Sequence, residues 1–496
     1  MTALETAPSR PSASRPSARP APRPSARLAF LRERGMGASV LVAALSAAFG
    51  VTLVSTTRYI AAVLQADPYL GDSATLAFVV SILSVLLTAV AMYVAAIVTA
   101  NTFSTIVAGR VRQIALLRLI GASARSQRVE VARQGLVVGA IGAVIGLIVG
   151  LGLSYAGTAI GDELLGVSGH GYVVAQPVLL LPAAIVVLTT WAAAWIGARP
   201  VLDVTPLQAL GGSVERGHGE VARRPARNIL ALVLFLVGAA LLGLGVVAGV
   251  ITPGAILPAF AGGLVSFTGL VLGATAFMPP VLRMVGRWFG RSATARLAAE
   301  NALRHPERSS RMSIGVVMGV TLVTMFAVAT ETAKAVFTAN AGGELNDDFA
   351  MILDTFAQIM VALVAVSAVI AAVGLVNLLT IGVVQRRREL GLLRALGLSS
   401  GQVRRMVLLE AAHITVASLV TGLVLGIAYG WAGAQSLLGS VPTEPGGSAG
   451  SFVLPAVPWV PVLLLALAMA VLTVVAAVTP TRLATSIAPV EALAAD

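Results

Sequence analysis

Apolar residues run along this chain in stretches of about 20 or more, broken by short clusters of arginine, glycine and proline. A hydrocarbon core of about 30 Å needs about 20 apolar residues in a helix, whereas barrel strands alternate over about ten. The pattern predicts ten spans, at about 38–60, 76–100, 134–157, 177–198, 229–250, 256–281, 313–333, 352–383, 408–436 and 458–479. The expected fold is an all-α polytopic membrane protein. Composition agrees: 57% of the 496 residues are hydrophobic and 11% charged, against about 25% charged in soluble domains. A water-soluble enzyme is excluded. With no cysteine, disulfides, thiolate metal sites and acyl-cysteine anchors are excluded as well.

A net charge of +12 would suggest nucleic acid in a soluble protein, but here its distribution follows topology. With the N-terminus inside, 32 of the 34 Lys and Arg fall on the cytoplasmic side, and only Arg58 and Lys334 lie outside. Both termini are therefore expected in the cytoplasm of a multi-pass cell-membrane protein, with no nucleic-acid partner. The outside loops are expected at about 61–75, 158–176, 251–255, 334–351 and 437–457. Residues 1–27, rich in Pro, Ser, Ala and Arg, read as a disordered cytoplasmic tail. The apolar segment after Arg34 runs past 20 residues, which favours an anchored helix over a cleaved signal peptide.

An internal repeat organises the remainder. Asn101–Gly157 matches Asn377–Gly433 at a constant offset of 276 residues without a gap. Arg110, Arg112, Leu116, Leu117, Arg118, Gly121 and Ser123 pair with Arg386, Arg388, Leu392, Leu393, Arg394, Gly397 and Ser399. The match extends upstream, where GVTLV at 50–54 recurs at 319–323, and downstream, where Pro206, Ala209 and Leu210 recur as Pro489, Ala492 and Leu493. Two parallel four-helix units are expected at 28–211 and 291–496, with a central two-helix linker at 212–290. Gly146 with Gly150, and Gly422 with Gly426, have the small-xxx-small spacing of helix packing rather than of a nucleotide loop.

The segment between the second and third helix of each unit carries the most chemistry. In VVQRRRELGLLRALGLSSGQVRRM at 383–406, Leu390, Leu393 and Leu396 recur at helical spacing while Arg387 and Arg394 take another face. Gly397 is placed to end this helix, and Ser399 or Ser400 to cap a short following one. A single basic amphipathic helix rests by default on anionic lipid. Two copies with the same Gly break and Ser cap point instead to a shaped docking knob, with lipid contact in addition.

These residues resemble the FtsX-like, MacB-type permease domain of ABC transporters. The carriers are the basic pair, Glu and Leu-Gly-Leu-Leu-Arg-Ala-Leu-Gly pattern at 386–400, followed by a helix containing Glu410. The resemblance implies a membrane subunit without ATPase activity, served by two copies of a separate ABC ATPase that bind the ATP and Mg. It places coupling to those ATPases at Arg118, Gly121, Ala122, Ser123, Arg125 and Gln127, and at Glu389, Arg394, Gly397, Leu398, Ser399, Ser400 and Gln402. The chain departs from family members that drive an extracytoplasmic domain, because its 61–75 and 334–351 loops are too short to form one.

The residue inventory agrees on the missing ATPase. A phosphate-binding loop needs a lysine in its motif, and the single lysine, Lys334, sits at an outside helix end after Glu331. His170, His218, His305 and His413 show no metal-ligand spacing. His413, three residues after Glu410, reads as a core or interfacial hydrogen-bonding residue. Asp354 and Glu410 lie near span ends and none of the spans has a central ionic group, which disfavours a proton-driven secondary transporter. A regulatory or sensory membrane complex is the remaining alternative. With no extracytoplasmic domain and no polar track, the expected cargo is a hydrophobic or amphiphilic molecule exported from the bilayer: a drug, antimicrobial peptide, lipid or porphyrin. The repeat sets Gln113 and Gln134 opposite Glu389 and Glu410, which reads either as unequal coupling of the two halves or as neutral drift at a solvated helix face.

Overall fold

The computed structural model describes residues 36–66, 81–82, 85–90, 92–94, 96–97, 99–100, 123–165, 172–198, 225–288, 292–304, 306–343, 350, 354, 387–442 and 450–485. Among them there is no strand. The helices are α1 (Met36–Ala66), α2 (Ala124–Leu165), α3 (Leu180–Gly197), α4 (Pro225–Ala248), α5 (Ile256–Gly286), α6 (Ala293–Arg304), α7 (Pro306–Asn340), α8 (Arg387–Ala395), α9 (Ser400–Leu438) and α10 (Trp459–Thr485). Seven of them, α1 to α5, α7 and α9, are long and apolar enough to cross a membrane. Helix α10 carries a shorter apolar stretch, and helical residues at 85–90 and 92–94 fall within the expected second span. The expected eighth span, 352–383, lies outside the described residues apart from Asp354, as does the tail at 1–27.

The helices overrun the predicted spans. Helices α2 and α9 have 42 and 39 residues, about 60 Å at 1.5 Å per residue, twice the hydrocarbon thickness. The short helix expected after Ser399 is instead the first turns of α9. No proline or φ-restricted residue separates the cap from the span, so the helix runs through Arg404 and Arg405 without a break. Helix α7 likewise continues to Asn340 and takes in Lys334, which forms an ion pair with Asp354. The start of the expected 334–351 loop is therefore helix.

Glycines on the third helix of each unit bring it against the first. A Cβ at Gly146 would lie 2.6 Å from the Ala47 Cβ and press on the Ala44 carbonyl; one at Gly150 would lie 2.8 Å from the Val51 Cβ. In the second unit a Cβ at Gly422 would lie 2.7 Å from the Val320 Cβ and one at Gly426 2.5 Å from the Thr324 Cβ. Backbones this close gain dispersion contacts that a larger side chain would forbid. The contacts also fix the repeat in three dimensions. Val320 and Thr324 each lie 273 residues beyond Ala47 and Val51, whereas the GVTLV match has an offset of 269. The upstream sequence match is thus one helical turn out of the structural register.

The central pair is packed into the molecule. Helices α4 and α5 cross through Gly238, Gly245, Gly262 and Gly269, and Gly249 at the end of α4 lies on Gln435 and Ser436 of α9. Helix α5 also receives the first unit: the Tyr93 hydroxyl is 2.8 Å from Thr268 Oγ1, and Tyr93, Phe267 and Tyr429 form successive edge-to-face contacts. Helices α1 and α7 are the most buried of the long helices, and α4 the least. At the far end of α9 the backbone of 450–456 is strapped down. Gln435 accepts from the Val453 amide and donates to the Ser451 carbonyl, Trp431 donates to the Val453 carbonyl, and Thr332 accepts from the Ala456 amide.

Candidate coupling surface

The turn between α8 and α9 is closed at both sides by backbone-directed bonds. Gly397 has φ +105°, a conformation that costs residues with a Cβ but not glycine. From there the Gly397 amide donates to the Arg394 carbonyl and the Leu398 amide to the Leu393 carbonyl, both at 3.1 Å. Those two bonds form a Schellman motif, which satisfies carbonyls that the end of α8 would leave without partners. Two residues on, Ser399 Oγ accepts from the Gln402 amide at 3.2 Å, and Gln402 Oε1 accepts from the Ser399 amide at 2.8 Å. This capping box starts α9. The chain therefore passes from α8 into α9 through four residues, Leu396 to Ser399, whose backbone amides are all held locally, giving a stiff turn at the basic end of the bundle.

Underneath, Leu390 of α8 packs with Val403, Met406 and Val407 of α9 and with Ala298 of α6, while Leu393 and Leu398 flank this cluster. The predicted stripe of Leu390, Leu393 and Leu396 is corrected here. Leu396 lies past the last turn of α8 and is 73% exposed, so the reversal at Gly397 makes Leu398 the third packing residue. Leu392, at 51% exposure, joins Leu396 on the open side. Sequence reasoning missed both as surface residues. The signal was available: four leucines within 390–396 are more than one helix face can bury.

Of the other expected coupling residues, Glu389, Ser399, Ser400 and Gln402 are exposed, while Arg394 and Leu398 are partly buried. In the first unit, Arg118, Gly121 and Ala122 lie outside the described residues. Ser123 begins α2 as Ser399 begins α9, its Oγ accepting from the Ser126 amide at 3.1 Å. Gln402 has no glutamine counterpart there, because position 126 is serine. Arg125 is exposed and Gln127 partly so. The first unit has a different tie instead: the Arg128 guanidinium stands 3.9 Å from the centre of the Trp195 ring and its Nε donates to the Trp195 carbonyl. That cation–π contact pins the start of α2 to the end of α3. Gly146, Gly150, Gly422 and Gly426 are all buried in helix contacts. His413 donates from Nε2 to the Leu282 carbonyl of α5 at 2.7 Å, in keeping with the hydrogen-bonding role read from its position.

Comparison with known proteins bears on the same segments. The ABC transporter permease YtrF of Bacillus subtilis is 35% identical over 66 residues, 13% of this chain and 15% of its own. The ABC transporter permease YknZ of the same organism is 31% identical over 83 residues, 16% and 20% of the two chains. The macrolide export ATP-binding/permease protein MacB 1/2 of Paracoccus denitrificans is 30% identical over 78 residues, 16% and 12% of the two chains. The alignments span a fifth or less of each of these relatives. The family profile described as FtsX-like permease C-terminal matches twice, at residues 85–203 and 361–489, together half of the chain. Those two segments contain both copies of the Gly-break, Ser-cap turn, and the chain belongs to the FtsX-like permease family.

Proposed function

We propose that this chain is the membrane-spanning subunit of an ABC transporter, in which ATP hydrolysis by two copies of a separate ATPase drives export of a hydrophobic or amphiphilic molecule from the bilayer. The observation that carries the reading is the α8–α9 turn. It is a rigid projection with Leu392 and Leu396 exposed beside Arg394, at an end of the bundle where basic residues concentrate. Exposed leucines at a watery surface are costly unless covered, and a cleft of a soluble partner covers them. The arginines around the turn add attraction to an acidic rim and to anionic lipid. The distribution of basic residues supports a reading in which this end and both termini face the cytoplasm.

The Gly-break, Ser-cap segment recurs in the sequence of both units, which suits two ATPase copies. Cargo would pass between the units, the glycines of the third helices being engaged with the first helix inside each unit. Substitution Leu396→Asp places a charge where a leucine would be buried, so co-purification of the cognate ATPase should fall about tenfold or more. Undiminished association of this variant would overturn the docking surface. Export is tested in proteoliposomes holding permease and ATPase, where ATP should move a fluorescent amphiphile out of the leaflet. Its failure with a full amphiphile panel, with docking intact, would favour a regulatory complex.

A further inference from the structure

We propose that Asn301 and Glu410 are positioning residues of the second coupling turn, tying α6 to its support so that movement of α8 reaches α7 through α6 as well as through α9. The proposal rests on the reading of α8 as the ATPase-docking helix. Helix α6 lies beside the turn with a face of small residues, Ala295, Ala298 and Ala302, at 3%, 1% and 0% exposure. Ala298 enters the cluster that holds Leu390 of α8, so no side chain longer than a methyl separates the α6 backbone from that cluster. One turn further along α6, Asn301 Nδ2 donates to Glu410 Oε2 of α9 at 3.3 Å. Glu410 is 5% exposed, and a carboxyl group buried to that degree is retained only where donors hold it.

Helix α6 is in turn fastened to α7 and, through α7, to α5. Ser309 at the start of α7 donates through Oγ to the Ala302 carbonyl at 2.6 Å, bridging the α6–α7 corner. Its neighbour Ser310 donates to the Ala274 carbonyl of α5 at 3.1 Å. One turn beyond Glu410, His413 ties α9 to α5 at Leu282. The support of the turn is thus a closed ring of α9, α6, α7 and α5, in which the Asn301–Glu410 bond is a link through a carboxylate. The first unit has no carboxylate there. Gln134, the counterpart of Glu410, instead donates to Glu130 of its own helix at 3.4 Å.

The test uses the full permease–ATPase complex in lipid nanodiscs, reading ATP turnover and permease–ATPase affinity separately. Asn301→Ala and Glu410→Ala should each lower turnover about three- to tenfold, the range of one partly buried hydrogen bond, while affinity stays within about twofold. Glu410→Gln keeps an acceptor for Asn301 and should restore most of the turnover, which a role of the negative charge alone would not allow. The double Ala variant should be no worse than either single one. If Glu410→Ala fails to fold, the variant at the partly buried Asn301 decides. Unchanged turnover in Asn301→Ala overturns the proposal, as does a parallel loss of turnover and affinity. Leu396→Asp is the control: should it leave affinity intact, the docking reading fails rather than the latch.

Discussion

Gly397 holds φ at +105° with no atom within 4 Å of where a Cβ would stand. An alanine there meets no clash, so its cost is backbone strain alone, about 1–2 kcal/mol. Gly397→Ala should loosen the turn and weaken ATPase association, with Gly397→Asn intermediate because asparagine tolerates positive φ better. Equal affinity of all three would show that the turn's conformation is not read by the partner. Ser399→Ala removes the acceptor for the Gln402 amide and should cost about 1 kcal/mol. Ser400→Ala, at the first residue inside α9, should cost much less, and hydrogen exchange in the first turn of α9 distinguishes the two. Both caps were legible in the sequence because a Gly followed by Ser obeys local rules. Arg128 on Trp195 was not legible, since the two lie 67 residues apart and nothing local links them.

Between helices, the glycines divide into those that touch a neighbour and those that do not. Gly426 would press its Cβ on Thr324 and the Thr321 carbonyl of α7, whereas Gly433, seven residues along the same helix, has open space. Gly426→Leu should therefore lower the melting temperature in detergent sharply, through overpacking worth about 1–3 kcal/mol or more. Gly433→Leu should be close to neutral, and equal losses would mean that helix propensity, not packing, sets the effect. Spacing alone identified Gly146, Gly150, Gly422 and Gly426, because a period of four on a helix lines one face. It gave no register. The GVTLV match misaligned α1 with α7 by one turn, since apolar residues interchange freely along a lipid-solvated helix while the contact is fixed by where a small residue meets a backbone. The same freedom hid the length of α2 and α9: hydropathy reports where a helix enters lipid, and caps report where it begins.

At the scale of the molecule, the two units are built alike but embedded differently. The central pair lies against α9, where Tyr429, Ala432 and Ser436 are partly or fully buried. Their counterparts on α2 at the repeat offset, Leu153, Ala156 and Ile160, are exposed. No sequence periodicity reveals such a difference, because it arises from which unit the inserted pair chooses. Orientation is testable in this cysteine-free chain. Leu454 is 84% exposed on the strap held to one end of α9, and Ser400 is exposed at the other. Cysteines at these positions should label from outside and inside the cell respectively; labelling from one side would refute the topology. The embedding also bears on coupling. Leu390 rests on α6 and α9, Gln402 completes a cap that Ser126 cannot, and Glu389 and Glu410 stand where the first unit has Gln113 and Gln134. On the proposed docking, a stroke delivered at α8 would meet a braced support, so Arg394→Ala should lower ATP turnover more than Arg118→Ala. Glu389→Gln should likewise cost more than Gln113→Glu, because a carboxylate paired with a basic group on the ATPase is stronger than an amide in the same place. Equal losses from the two arginine changes, with Glu389→Gln silent, would show that the units share the work evenly despite their different surroundings.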